Sequence, residues 1–118
     1  MKRETLLFIQ DILESIDHIE DFMTDVSKES FLSNEEKQSA VIRHIEIIGE
    51  ATKNIPESFR NKYSSVPWAD IAGMRDIIIH SYFKVDLNAV WNVVKDDLSL
   101  LKEHLLAIIK DLENNRVK

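Results

Sequence analysis

Arg75, His80 and Tyr82 stand within eight residues, at the end of an apolar stretch that contains three consecutive isoleucines, Ile77 to Ile79. A guanidinium stays charged, and its planar fork matches phosphate oxygens. An imidazole moves a proton near neutral pH. A phenol offers a hydroxyl that can itself be modified. A small helical protein has little structural need for this trio beside an isoleucine run, and the three types together suit cleavage of a nucleic-acid backbone.

RNA carries its own nucleophile, the 2′-hydroxyl, already placed beside its phosphate. A protein without a metal then has three tasks: removing that proton, neutralising the charge that grows on the phosphate, and protonating the departing 5′-oxygen. Arg75 fits the second task and His80 fits proton transfer, with Asp76 placed to orient either one through a hydrogen bond. One histidine cannot easily be base and acid in the same step, whereas two from a symmetric dimer can. Positions five apart on an ideal helix point roughly 140° away from each other. Either the helix loosens before its end, or a second copy of the chain completes the site. A helix C-terminus also favours a protonated imidazole. The plainer reading of His80 is a residue that caps helix carbonyls, because an arginine followed five positions later by a histidine is common in helices.

The elements that must hold these groups are helical. From about Thr5 to Ser27, apolar residues such as Phe8, Ile12, Ile16, Ile19 and Met23 recur at steps of three and four, with aspartates and glutamates between them. Ser33-Asn34-Glu35-Glu36 reads as a capping box with Ser33 as N-cap, opening a helix that runs to about Asn54 and stops before Pro56. Residues 55–67 form a connector with one helical turn around Glu57–Lys62. Pro67 suits the first turn of a third helix ending near Ile79, and Asp86 suits the N-cap of the last. In that last helix Leu87, Trp91, Val94, Leu98, Leu101, Leu105, Ile108 and Leu112 make an unbroken 4–3 seam. The expected architecture is all-α: an antiparallel up-and-down bundle of four main helices plus a short connector helix, in one domain over residues 1–118. Gly49 and Gly73 both fall inside expected helices, where each costs about 1 kcal/mol relative to alanine. Close approach of a packed helix or of a ligand explains such a cost.

Composition narrows the class. The 118 residues are 44% hydrophobic and 31% charged, with two glycines, two prolines and no cysteine. That suits a globular helical chain in a reducing cytoplasm, with no disulfide framework, no thiolate metal site and no membrane span. The N-terminus also lacks the hydrophobic stretch of a signal peptide. His18, His44, His80 and His104 show no metal-ligand spacing, so no metal and no cofactor is expected. The net charge is −6, unlike a protein that coats nucleic acid indiscriminately. The distribution is uneven. Residues 1–36 carry ten acids against three bases, residues 37–85 seven bases against five acids, and residues 86–118 six acids against five bases. Arg43, Lys53, Arg60, Lys62, Arg75 and Lys84 therefore either focus a positive potential in one cleft or stand as ordinary solvated charge.

Pro67-Trp68, Ile71 to Asp76, His80 to Phe83, Val85-Asp86-Leu87 and Val90-Trp91, together with Ile48-Gly49-Glu50-Ala51, resemble the signature of HEPN-domain toxins of the HepT type. The family's Arg-x4-His-x-Tyr motif falls on Arg75, His80 and Tyr82 without a gap. The resemblance implies an all-helical homodimer that cuts RNA, such as tRNA or mRNA, without metal, the arginine and histidine of both protomers lining the dimer cleft. It further implies a minimal nucleotidyltransferase antitoxin as partner, forming a hetero-oligomer with the toxin and transferring AMP from ATP onto Tyr82. AMP on Tyr82 would add bulk and negative charge beside Arg75 and His80 and repel RNA. Lys84, Lys53 and Arg43 are the remaining candidate RNA contacts. Two positions depart from the family's usual pattern. Asp76 replaces a frequent asparagine and adds a negative charge beside the expected phosphate site. Ser81 and Lys84 replace a frequent Asp and Gly, and the lysine would assist RNA binding. A non-catalytic HEPN module that binds nucleotide or docks a nucleotidyltransferase, and a purely structural dimerisation domain, are the competing classes.

Overall fold

The computed structural model describes residues 3–81 and 84–117; of these, the side chains of Ile77, Ile79, His80, Ser81, Lys84, Arg116 and Val117 are outside the description. Helix α1 (Arg3–Met23) is followed by a short α2 (Lys28–Leu32), then α3 (Glu35–Lys53) and the connector helix α4 (Glu57–Lys62). Two short helices come next, α5 (Trp68–Ala72) and α6 (Met74–Ile78), with a small antiparallel pair of strands, β1 (Ile79–Ser81) and β2 (Lys84–Val85). The chain closes with α7 (Leu87–Asn92), a π-helical turn (Val93–Asp97) and α8 (Leu98–Val117). The fold is an all-α bundle to which the two strands add only a clip.

α1 and α3 make the most extensive contact in the molecule. They run antiparallel: Lys37 Nζ donates to the Phe22 carbonyl at 2.6 Å, and further along His44 Nδ1 lies 3.1 Å from Ser15 Oγ. Ile9, Ile12, Ile16 and Ile19 of α1 are fully buried, as are Val41, Ile45 and Ile48 of α3. Burying each such side chain contributes about 1.5–3 kcal/mol, so this seam is the main hydrophobic anchor. α8 lies antiparallel to α1. Lys102 Nζ reaches Asp17 and Glu20 at 3.0 Å each, and earlier in the chain Trp91 of α7 meets Phe31 of α2, just past the end of α1, with ring centroids 5.9 Å apart.

Several boundaries differ from the sequence pattern, each for a local reason. α1 ends at Met23, because Asp25 takes a left-handed backbone (φ 58°) that stops the helix without a glycine. α2 then fills part of what reads as a loop, with Ser27 as its N-cap. The N-cap of α3 is Asn34, whose side chain accepts from the Lys37 amide at 3.0 Å. Ser33 instead closes α2, its hydroxyl donating to the Glu29 and Ser30 carbonyls. The connector turn Glu57–Lys62 and the Asp86 cap, which accepts from the Ala89 amide at 3.0 Å, are as expected.

The last helix is not an unbroken 4–3 seam. Val90 and Val93 are buried, and the next buried position is Leu98, five residues on. The π turn absorbs the extra residue, with the Leu98 amide donating to the Val93 carbonyl. Leu98, Leu101, Leu105 and Ile108 then continue the core, while Trp91 and Val94 are half-buried at its edge.

Candidate functional site

The expected third helix is two helices. α5 starts after Pro67 and is pinned by Trp68, whose indole Nε1 donates to the Tyr63 carbonyl at 3.0 Å. It ends at Gly73, whose φ of −91° and ψ of 1° leave the helical region. The Gly73 amide closes back on Ala69, and the Gly73 carbonyl accepts from Asp76 at 3.0 Å, so the chain turns tightly into α6. Gly73 therefore lies in a break, whereas Gly49 lies mid-helix in α3. A Cβ built on Gly49 would sit 3.4 Å from the Ala72 carbonyl oxygen. The small residue lets the end of α5 rest on the backbone of α3, and α6 packs on α3 just beyond it.

Arg75 is the second residue of α6 and is exposed. Its Nε lies 4.0 Å from Glu46 Oε1 of α3. The other carboxylate oxygen of Glu46 lies 3.9 Å from Arg43 Nη1. Glu46 thus stands between two guanidinium groups that are 32 positions apart in the chain. Asp76 is also exposed on α6. α6 stops at Ile78, two residues before His80, whose backbone belongs to β1. The straight-helix geometry that would point Arg75 and His80 apart does not apply, because His80 follows a helix end and an extended residue. The Asp86 amide donates to the Ile78 carbonyl at 2.7 Å, and Ile79 pairs with Val85, which ties the His80 segment to the start of α7. Lys84 is on β2 by its backbone. Tyr82 lies outside the described residues.

The described bases of the middle stretch are engaged in different ways. Arg60 is committed to the fold: its Nε donates to Ile55 and its Nη2 to Thr52 and Lys53, closing the C-terminal carbonyls of α3. Lys62 sits 5.4 Å over the Tyr63 ring. Lys53 pairs with Glu50 at 3.6 Å, about 15 Å further along α3 than Arg43. Among the described side chains, Arg43 and Arg75 are brought to a common point at Glu46. Sequence reasoning missed Glu46; its spacing from Arg43 marks a helical pair, but nothing in the chain links it to Arg75.

The histidines away from the motif also gain partners that their spacing did not suggest. His18 and His44 stack across α1 and α3 at 5.0 Å, flanked by Phe22, and His18 Nε2 lies 3.7 Å from Glu14. Burial, then the nearby His18 and Arg43, hold the His44 imidazole below its ordinary value, with Glu14 opposing. His104 lines a cavity of about 310 Å³ walled by Ile71, Met74, Val93 and Leu101, with Asp70 and Asp97 among its polar groups. Burial and the neighbouring Asp96 raise the Asp97 carboxyl. Arg75 does not line this cavity. Among the described residues, no three histidine or carboxylate side chains are grouped to hold a metal ion, and no helix is long and apolar enough to cross a membrane.

The family model described as ribonuclease HepT-like matches residues 12–108. A Methanocaldococcus jannaschii protein named as a gamma-glutamylcyclotransferase and putative RNase is 47% identical over 116 residues, which is 98% of this chain and 52% of that protein. The chain thus spans about half the length of that relative. A protein of Thermococcus cleftensis named as a probable ribonuclease HepT is 46% identical over 102 residues, 86% of this chain and 93% of that one. No solved structure matches.

Proposed function

The chain belongs to the HepT-like ribonuclease family, and from that premise we propose that it is a homodimeric, metal-independent endoribonuclease toxin acting through Arg75 and His80. The observation that carries this is the contrast in how the arginines are used. Arg75 is exposed on a helix that ends just before His80, and among the described residues its partner is the Glu46 carboxylate at 4.0 Å rather than a backbone carbonyl, which leaves its fork available to a phosphate. Attack of the 2′-oxygen on phosphorus breaks the bond to the 5′-oxygen and leaves a 2′,3′-cyclic phosphate and a 5′-hydroxyl. Arg75 neutralises the charge on the phosphate oxygens through that step. His80 protonates the leaving oxygen, and the histidine of the second protomer takes the 2′ proton. Lys84, Lys53 and Arg43 add contacts to the phosphates of cytoplasmic RNA, tRNA or mRNA.

Control falls on Tyr82. A minimal nucleotidyltransferase antitoxin transfers AMP from ATP to the tyrosine oxygen, with pyrophosphate leaving. The new phosphodiester places a negative charge two residues from His80. Intact-mass measurement of protein co-expressed with such an enzyme checks this, the expected signal being one added AMP that disappears in Tyr82→Phe.

Purified protein is expected to cleave RNA in the presence of EDTA. Arg75→Ala and His80→Ala are each expected to lose at least about a hundredfold in rate, the scale of removing one transition-state charge partner. Full activity in either variant overturns the site. A second reading, a non-catalytic module that binds nucleotide or docks a nucleotidyltransferase, is favoured by the acidic groups Glu46 and Asp76 close to Arg75. It predicts binding without cleavage of any RNA.

A further inference from the structure

Among the described residues, Glu46 of α3 meets Arg75, and its placement differs from an ordinary surface ion pair. Its two oxygens face different guanidinium groups: Oε2 lies 3.9 Å from Arg43 Nη1, and Oε1 lies 4.0 Å from Arg75 Nε. The Glu46 side chain is half-buried, at 31% exposure, while those of Arg75 and Arg43 are 53% and 70% exposed. The two carboxylate oxygens stand where the two non-bridging oxygens of a tetrahedral phosphodiester could face the same pair of guanidinium groups. Both separations exceed hydrogen-bond range, and exposed pairs of this kind hold weakly. A phosphate that forms proper hydrogen bonds to the same two arginines can therefore displace the carboxylate.

We propose that Arg43 and Arg75 form a two-arginine phosphate clamp, and that Glu46 is a built-in competitor that occupies the clamp until a nucleic-acid phosphate displaces it. Glu46 is thus a specificity-determining residue: it screens the clamp from isolated anions and yields to a polyanion, whose flanking phosphates add further contacts. This rests on the phosphate role given to Arg75 under the proposed function. The clamp spans α3 and α6, so it exists only when α6 is packed on α3 next to Gly49.

The test is binding of a fluorescent oligonucleotide with 2′-deoxy sugars, which has no nucleophile and is read by anisotropy without cleavage. Glu46→Gln is expected to bind about two- to fivefold more tightly than wild type, the scale of one exposed charge interaction. The gain should shrink in high salt and in an Arg43→Ala background. With cleavable RNA the same variant should lower KM by a larger factor than it changes kcat. Glu50→Gln removes an equal charge one helical turn away, beside Lys53, and is expected to give a smaller gain. Unchanged or weaker binding by Glu46→Gln shows that Glu46 only holds Arg75 in place and overturns the proposal. An equal gain in Glu50→Gln reduces the effect to net charge and also overturns it. Wild-type binding by Arg75→Ala overturns the phosphate role of Arg75 itself. Loss in Arg75→Ala with no gain in Glu46→Gln overturns the competitor alone.

Discussion

Two arginines of the basic middle stretch end in opposite situations. At the C-terminus of α3, Arg60 donates three hydrogen bonds to the carbonyls of Thr52, Lys53 and Ile55. On α6, Arg75 faces among the described residues a carboxylate at 4.0 Å. Both carry the same charge and both lie near helix ends. A guanidinium held by several backbone acceptors is part of the scaffold, while one facing a loosely held carboxylate is free to bind another anion. Charge counted along the chain does not separate these cases, but the acceptor each fork faces does.

The sharpest way to break this contrast is to remove each arginine and compare activity with stability. Arg75→Ala is expected to lose at least about a hundredfold in cleavage rate while its melting temperature stays within a few degrees of wild type. Arg60→Ala is expected to do the reverse. It leaves helix-end carbonyls without donors and costs about 2 kcal/mol, read by urea unfolding, with the folded fraction still cutting RNA. If Arg60→Ala retains stability but loses cleavage, the two roles have been misassigned.

A smaller effect sharpens the opposite end of α3. Asn34→Ala removes the cap that accepts from Lys37 and should cost about 1 kcal/mol. Ser33→Ala removes a hydroxyl that only donates to carbonyls already in helix α2, and should cost less. Equal losses would restore Ser33 as the cap.

The smallest effect concerns pH. Because the folded His44 imidazole is held below its ordinary value of 6.5, the unfolded chain binds its proton first as pH falls. Stability is then expected to be full above that value and to decline as pH drops from it toward the lower folded value. His44→Gln should flatten that part of the stability profile. A slope unchanged in the variant would assign it to other groups.

Much of the fold is legible along the chain. Apolar steps of three and four mark α1, α3 and α8, and a proline followed by Glu57–Lys62 marks the connector turn. Asp86 marks the start of α7 through its own short-range hydrogen bond. These are local signals, set by residues within a turn of one another. The breaks were harder to see. Asp25 stops α1 in a conformation usually left to glycine, and Gly73 breaks a helix although it has no positive φ. The π turn hides inside a regular-looking heptad pattern, because a five-residue step from Val93 to Leu98 shows only once the buried positions are known. The candidate site divides in the same way. Arg75, His80 and Tyr82 stand out as residue types, while the Glu46 contact and the commitment of Arg60 do not.

By itself the amino-acid order determined the helical class, the family and the reactive residue types, because periodicity, caps and motif spacing are properties of neighbours. Only the tertiary structure decided which charges are free. α6 must pack on α3 before Arg75 can meet Glu46, and the end of α3 must reach Arg60 before its fork is spent on carbonyls. Whether a charge serves the fold or a ligand depends on the acceptors that packing places within reach, and those come from distant parts of the chain.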